Sequence, residues 1–203
     1  MQEIGPPLAS RSGRVQILYQ GSIVPSRLPL TVIQALGSLP ESVGLTIVGY
    51  ETVGHVGYIE VLRALSRQLG VERRVNFAGT IKQRKDMLQR ASECDLGLAF
   101  IQRLDGNPNM EHMEGASNKP FDYLARGLAL LVPDLPEWER MFVRPGYGLA
   151  CNPDDPKEIA AALRWFLDHP EQMRQMGERG RQRVKEEWNY EKQFSSALRY
   201  LEE

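Results

Sequence analysis

Residues 111–134 read EHMEGASNKPFDYLARGLALLVPD, and this stretch predicts a loop, a helix and a buried strand in succession. Ser117 and Asn118 are suitable residues to cap the start of a helix, and Pro120 suits a first helical turn. Apolar residues then follow on one helical face: Phe121, Leu124, Ala125 and Leu128. Gly127 lies where a C-terminal cap belongs. The apolar run 128–132 is typical of a strand that is covered on both faces.

The loop before this helix predicts an anion-binding site. Four small or polar residues form it: Gly115, Ala116, Ser117 and Asn118. They let the backbone approach a ligand closely, and the free N–H groups of a helix start favour a phosphate. Lys119 adds positive charge at the same end, while Glu114 and Asp122 flank it and suggest a partner rich in hydroxyl groups. On these signals alone, an ordinary capped helix with solvated acids remains the alternative.

The spacing of the two acids resembles that of a known family. Glu114 and Asp122 are spaced as E-x7-D. The retaining glycosyltransferases of the GT-B fold (the family-4 type, glycosyl transferases group 1) carry E-x7-E in a run that commonly reads E-G-x-x-N-K-x-F-E-Y-x-A-x-G. This sequence matches that run at Glu114, Gly115, Asn118, Lys119, Phe121, Asp122, Tyr123, Ala125 and Gly127. The resemblance implies that Glu114 is catalytic and that Asp122 accepts hydrogen bonds from ribose hydroxyls.

The composition limits the other classes of protein. The chain has 203 residues, enough for one ordinary domain, and a net charge of -1 without a lysine-rich run, so we expect no nucleic acid partner. Cys94 and Cys151 are too few for a disulfide framework, and we predict reduced core cysteines in a cytoplasmic protein. The sequence shows no signal peptide and no apolar run of about 20 residues. His112 beside two acids is too small a group for a metal site, and we expect no metal.

The whole chain predicts one α/β domain after a short linker. Residues 1–13 mix Gly, Pro and Ser without periodicity, and we interpret them as a linker or tail that precedes the domain 14–203. Strands are predicted at 15–19, 45–48, 75–78, 95–100 and 128–132, with a last short strand after Gly146. Helices are predicted at 58–69, 83–92, 137–142 and 155–167, and others start near Pro29 and Pro170. This alternation predicts a Rossmann-like parallel sheet with helices on both faces.

Further donor-binding residues follow from the resemblance. The family often shows G-R-L-x-x-E-K-G after its first strand, and alignment on Gly21 places Ser22 at the arginine and Arg27 at the lysine. Arg27 can clamp a phosphate, although a solvated loop arginine is the alternative, and the loss of arginine at position 22 removes one charge. The family's loop after the third strand meets the nucleotide base, which implicates Thr80 and Lys82. Since each of these residues follows a strand, the sequence places them all on one rim of the sheet.

The resemblance implies a function that needs a second domain. It implies that these residues are the C-terminal, donor-binding half of a GT-B glycosyltransferase that uses a UDP- or GDP-sugar with retention of configuration and no cofactor. The N-terminal acceptor domain is absent from the 203 residues, so we expect the isolated domain to be inactive. An acceptor at a membrane surface would be bound through the N-terminal domain. The alternative is a non-enzymatic Rossmann-like module that binds a nucleotide, or that binds a protein through the terminal stripe Phe194, Leu198 and Leu201. A dehydrogenase is disfavoured because no G-x-G-x-x-G fingerprint is present.

Overall fold

In the computed structural model, residues 13–101 and 115–194 are described, and a sheet of six parallel strands runs through them. The strands are β1 (Val15–Ile23), β2 (Val43–Glu51), β3 (Val75–Gly79), β4 (Leu96–Leu98), β5 (Ala129–Pro133) and β6 (Gly148–Cys151). Their order across the sheet is β3-β2-β1-β4-β5-β6. The parallel, Rossmann-like sheet predicted from the sequence is confirmed.

Helices cover both faces of this sheet. They are α1 (Leu30–Gly37), α2 (Tyr58–Gln68), α3 (Arg84–Ser92), α4 (Asn118–Ala125), α5 (Pro136–Trp138), α6 (Pro156–Asp168), α7 (Pro170–Glu186) and α8 (Tyr190–Gln193). Side chains alternate along each strand, so that Ile17 and Tyr19 of β1 enter one core while Leu18 enters the other. The first core lies under α1, α2, α6 and the start of α7, and the second lies under α3, α4, α5 and the end of α7.

The predicted ends of three strands are wrong. The predicted strand 15–19 is too short, because β1 continues to Ile23, and the predicted strand 45–48 extends in the structure from Val43 to Glu51. The two strands stay paired because Gly21 lies opposite Gly49, where neither residue has a side chain to separate the backbones. The predicted strand 95–100 is shorter in the structure, since only Leu96–Leu98 forms β4.

The strand β4 is short because the sheet opens beside it. It pairs with β1 only at Ile17–Leu96 and Leu18–Gly97, after which the two strands separate. The buried ring of Tyr123 packs against Gly97, where a Cβ atom would collide with it. The sheet therefore opens toward its carboxyl edge, next to the start of α4.

Helix α7 packs more closely than its composition suggests. Its sequence is rich in Arg, Gln and Glu, yet Gly177 and Gly180 are buried along it. A Cβ atom at Gly177 would collide with the carbonyl oxygen of Gly127, and one at Gly180 would collide with the side chain of Leu124. Both contacts lie at the end of α4, so α7 holds that helix directly against the sheet. The predicted helix 137–142 is a single α-turn, α5, followed by a π-helical turn over Glu139–Val143.

The structure bears on the predictions for the cysteines, for membrane helices and for metal ligands, but several predicted residues lie outside the described ranges. Cys94 and Cys151 are free and buried, as predicted. Within the described ranges, no helix is long and apolar enough to cross a bilayer, and no group of three or more potential metal ligands assembles. Glu114, His112 and the apolar residues Leu198 and Leu201 of the terminal stripe lie outside the described residues. The same holds for residues 1–12 of the predicted linker 1–13.

Candidate functional site

The carboxyl edge of the sheet holds a cleft of about 400 Å³. It lies where β1 and β4 separate and the strand order reverses, which is the position at which open α/β sheets bind their ligands. The ends of β1 and β2, the turn after β3 and the start of α4 line it. It contains these residues that the sequence predicts for donor binding: Gly21, Ser22, Arg27, Thr80, Ala116, Ser117, Asn118, Lys119 and Asp122.

The remaining predicted site residues lie elsewhere. Gly115 and Lys82 are exposed and do not line the cleft. Glu114, for which the resemblance implies catalysis, lies outside the described residues. Its role therefore stays a prediction.

Two facing glycines form the floor of the cleft. Gly21 has a φ of 124°, which a side chain would strain. A Cβ atom at Gly49, its partner on β2, would collide with the carbonyl oxygen of Gly21. The absence of both side chains leaves room for Lys119, whose Cε would be 2.8 Å from a Cβ atom at Gly21. The glycines thus allow a lysine from α4 to lie over the end of β1.

Lys119 and Arg27 make the cleft strongly cationic. The Nζ of Lys119 lies 5.9 Å from the ring centroid of Tyr19, within a half-buried environment. Burial, and secondarily the Arg27 guanidinium, lower the pKa of Lys119 to about 8. In the part of the chain that the structure describes, no carboxylate forms an ion pair with either cation. Two unneutralised cations held close together are unfavourable unless an anion joins them.

The start of α4 adds donors to the same place. Ser117 is the N-cap residue, one of the two that the sequence predicts, but its hydroxyl accepts no hydrogen bond from the helix. The first N–H groups of α4 therefore have no side-chain cap and are available to a ligand. The helix dipole adds partial positive charge beside Lys119. These donors and cations together form a site suited to an anion that is more highly charged than a single carboxylate.

Asp122 of α4 also lines the cleft, and hydrogen bonds link this part of the helix to β1 and β4. The amide Nε2 of Gln20 donates to Asp122 Oδ2 over 3.1 Å. The backbone N–H of Gln20 donates to the hydroxyl of Tyr123 over 2.9 Å, and that hydroxyl donates to the carbonyl oxygen of Leu98. Complete burial raises the pKa of Tyr123 well above its usual value. The Tyr123 hydroxyl thus stays neutral and bridges the gap between β1 and β4.

The wall formed after β3 is more apolar. Thr80 Oγ1 donates to the carbonyl oxygen of Gly49 over 3.4 Å. Apolar side chains continue this wall: Val48, Ile81, Met87 and Ile101. A flat, uncharged ring would fit between such side chains. No local sequence motif marks these four apolar residues or Gln20 as part of the site, because their approach depends on how the elements pack.

The sequence and the fold place the chain in one family. A family model described as glycosyl transferase-like matches residues 32–199. The chain therefore belongs to this glycosyl transferase-like family, and the resemblance to group 1 glycosyltransferases of the GT-B fold is confirmed. A comparison with curated proteins finds no match.

Solved structures share the fold at low sequence identity. The C-terminal domain of LpcC, a glycosyl transferase group 1 family protein from Francisella tularensis, is 15% identical with a TM-score of 0.70, and the match covers 88% of each chain. HepE of Anabaena in complex with UDP is 15% identical with a TM-score of 0.75, over 93% of this chain and 49% of HepE. Sucrose-phosphate synthase of Thermosynechococcus elongatus is 20% identical with a TM-score of 0.73, over 93% and 45%. The chain spans about half the length of these last two proteins.

Proposed function

We propose that this chain is the donor-binding half of a glycosyltransferase, which moves a sugar from a nucleoside diphosphate sugar to an acceptor with retention of configuration. One observation carries the proposal. Lys119 and Arg27 share a cleft with the uncapped start of α4, and in the described ranges no ion pair neutralises them. A diphosphate supplies the missing negative charge, since it offers two groups of oxygens to two cations and to the helix N–H groups.

The same groups supply the chemistry of the leaving group. When the sugar departs, negative charge grows on the diphosphate, and donors already fixed in place stabilise it without reorganisation. Arg27 lies in the turn after β1 and Lys119 in the first turn of α4, so both positive charges border the cleft before the reaction. We propose that these cations take this role without a metal ion or another cofactor. Glu114, immediately before the loop, is the proposed catalytic carboxylate.

The remainder of the cleft accommodates the nucleoside. Asp122 lies beside the cations and is proposed to accept hydrogen bonds from the ribose. The apolar wall that includes Ile81 and Met87 is proposed to contact the base. HepE, whose fold this domain shares, has been solved with UDP and with UDP-glucose, which favours a UDP-sugar over a GDP-sugar here. A second domain is proposed to bind the acceptor, because this chain spans about half the length of HepE.

Calorimetric titration of the 203-residue chain tests the proposal. UDP, GDP and ADP are compared with UMP. A diphosphate site should bind UDP at least about tenfold more tightly than UMP, since one further charge-assisted contact contributes about 1.5–3 kcal/mol. The variant Lys119→Met should lose most of this preference.

A matched control is available on another helix. Lys157 occupies the second position of α6, as Lys119 does of α4, but it is exposed and does not line the cleft. Lys157→Met should bind UDP as the parent does. Equal affinity of the parent for UDP and UMP would contradict the diphosphate site, and a chain that binds none of the four nucleotides would favour a protein-interaction module.

A further inference from the structure

Gln20 is attached to two consecutive residues of α4. Its backbone N–H donates to the Tyr123 hydroxyl over 2.9 Å, and its side-chain amide donates to Asp122 Oδ2 over 3.1 Å. The first bond fixes where the residue lies, and the second fixes where its side chain points. A carboxylate only accepts hydrogen bonds, so the NH₂ group of the amide faces Asp122 and Oε1 points elsewhere.

The amide of Gln20 retains unused hydrogen-bonding capacity. A glutamine side chain has two N–H donors and one oxygen acceptor, and the bond to Asp122 uses one donor. Within the described residues, Oε1 of Gln20 has no hydrogen-bond partner. The side chain is half-buried and lines the cleft beside Asp122 and Lys119. A polar group that is partly removed from water and turned into a ligand cleft is suited to meet a polar group of the ligand.

We propose that Gln20 and Asp122 act as a pair that recognises two adjacent ribose hydroxyls of the donor nucleotide. The inference rests on the proposed function. One hydroxyl donates to the Asp122 carboxylate, and its neighbour bonds to the Gln20 amide, which can both accept and donate. An aspartate is one methylene shorter than a glutamate, or about 1.5 Å in reach. Gln20 supplies a second polar group at the place that the shorter acid does not reach.

The core of the domain holds this pair rigidly. Tyr123 is fully buried, and its ring rests on Gly97, so the hydroxyl that receives the Gln20 N–H cannot shift without disturbing the sheet. The bond to Tyr123 uses the backbone of Gln20 and survives any change of side chain other than to proline. The side chain of Gln20 can therefore be replaced while its backbone stays in place.

Calorimetry tests the pair formed by Gln20 and Asp122. The affinities of the parent and of Gln20→Met are measured for UDP, 2′-deoxy-UDP and 3′-deoxy-UDP. Methionine keeps the length of the side chain and removes its hydrogen bonds. The parent should bind at least one deoxy analogue about fivefold more weakly than UDP, which is the effect of one ordinary hydrogen bond. Gln20→Met should bind UDP more weakly and lose the preference against that analogue. Gln20→Asn, whose amide is shorter, should lose the same preference and serves if the methionine variant does not fold.

Gln16 provides the control on the same strand. Its amide Nε2 donates to Thr46 Oγ1, also over 3.1 Å, and it lies about 13 Å from Gln20 along β1, toward the amino edge. Gln16→Met should keep the full preference for UDP over the deoxy analogue. A Gln20→Met protein that still discriminates as the parent does would overturn the inference, as would a parent that binds all three nucleotides equally. Either result leaves the preference for UDP over UMP intact, whereas loss of that preference in the parent overturns the proposed function itself.

Discussion

Raising the pH above 8 should weaken UDP binding, because Lys119 then loses its proton. Burial and the Arg27 guanidinium lower the pKa of Lys119 to about 8 in the free domain. A bound diphosphate opposes both effects and should return the pKa to about 10.4, the ordinary value for lysine, or higher. Between these two pKa values, binding has to take up a proton, so the affinity falls as the pH rises.

The size of the effect follows from the lowered pKa. At pH 9, one unit above it, about nine-tenths of Lys119 is neutral in the free domain, so Kd should be about tenfold larger than at pH 7. Tyr58 and Tyr19 do not titrate in this range, because burial raises the pKa of Tyr58 to about 12 and also raises that of Tyr19. The second ionisation of a phosphate has a pKa of about 6 and is complete.

Calorimetry between pH 7 and 9.5, in two buffers of different ionisation enthalpy, measures both the affinity and the proton uptake. At pH 9 the parent should take up close to one proton for each UDP bound. Lys119→Met should bind more weakly and without this pH dependence, while Lys157→Met should follow the parent. A parent whose Kd stays constant across the range, with no proton uptake, would refute the assignment of Lys119 to the anion site. Without nucleotide, the lowered pKa should make the folded domain more stable as the pH rises from about 8, since the unfolded chain still holds the proton.

Three further substitutions test the site and the packing behind it. Asp122→Ala should weaken UDP binding about tenfold or more, since a hydrogen bond to a charged group contributes about 1.5–3 kcal/mol, and an unchanged Kd would remove Asp122 from ribose binding. Gly97→Ala should lower the free energy of unfolding in urea by about 1–3 kcal/mol, because its methyl group meets the Tyr123 ring; an unaltered midpoint would contradict this packing. Gly177→Ala should destabilise the domain more than Gly54→Ala, whose Cβ has nothing within 4 Å, and equal melting temperatures would contradict the close contact of α7.

The sequence predicts the sheet well because its strands are continuous apolar runs. The runs in β1, β2 and β5 are buried on both faces, which is the pattern of parallel strands. Glycine caused the errors at strand ends. Gly21 and Gly49 look like turn residues in isolation, whereas in the sheet they oppose each other and allow the two strands to continue. A local pattern cannot distinguish these two uses of glycine.

Cleft residues could be predicted from the sequence where they belong to a single helix or loop. They could not be predicted where their position depends on how several helices and strands pack together. Lys119 and Asp122 stand out at the start of a single helix, and the resemblance to group 1 glycosyltransferases indicated Arg27 in a single loop. Gln20 looks like an unremarkable polar residue at the end of β1, and it becomes part of the site only because α4 packs over the gap beside β4. The order of strands that creates this gap is a property of the whole chain and is not encoded in any one segment.

The glycine contacts of α7 have a mechanical consequence for the anion site. At Gly177 the backbone of α7 lies directly against the backbone of Gly127, and at Gly180 it lies against the side chain of Leu124. The end of α4 is thus held by α7, and its residue Tyr123 packs against Gly97 of the sheet, while its first turn lines the cleft. A side chain at Gly177 or Gly180 would therefore displace α4, and with it the first turn that carries Lys119.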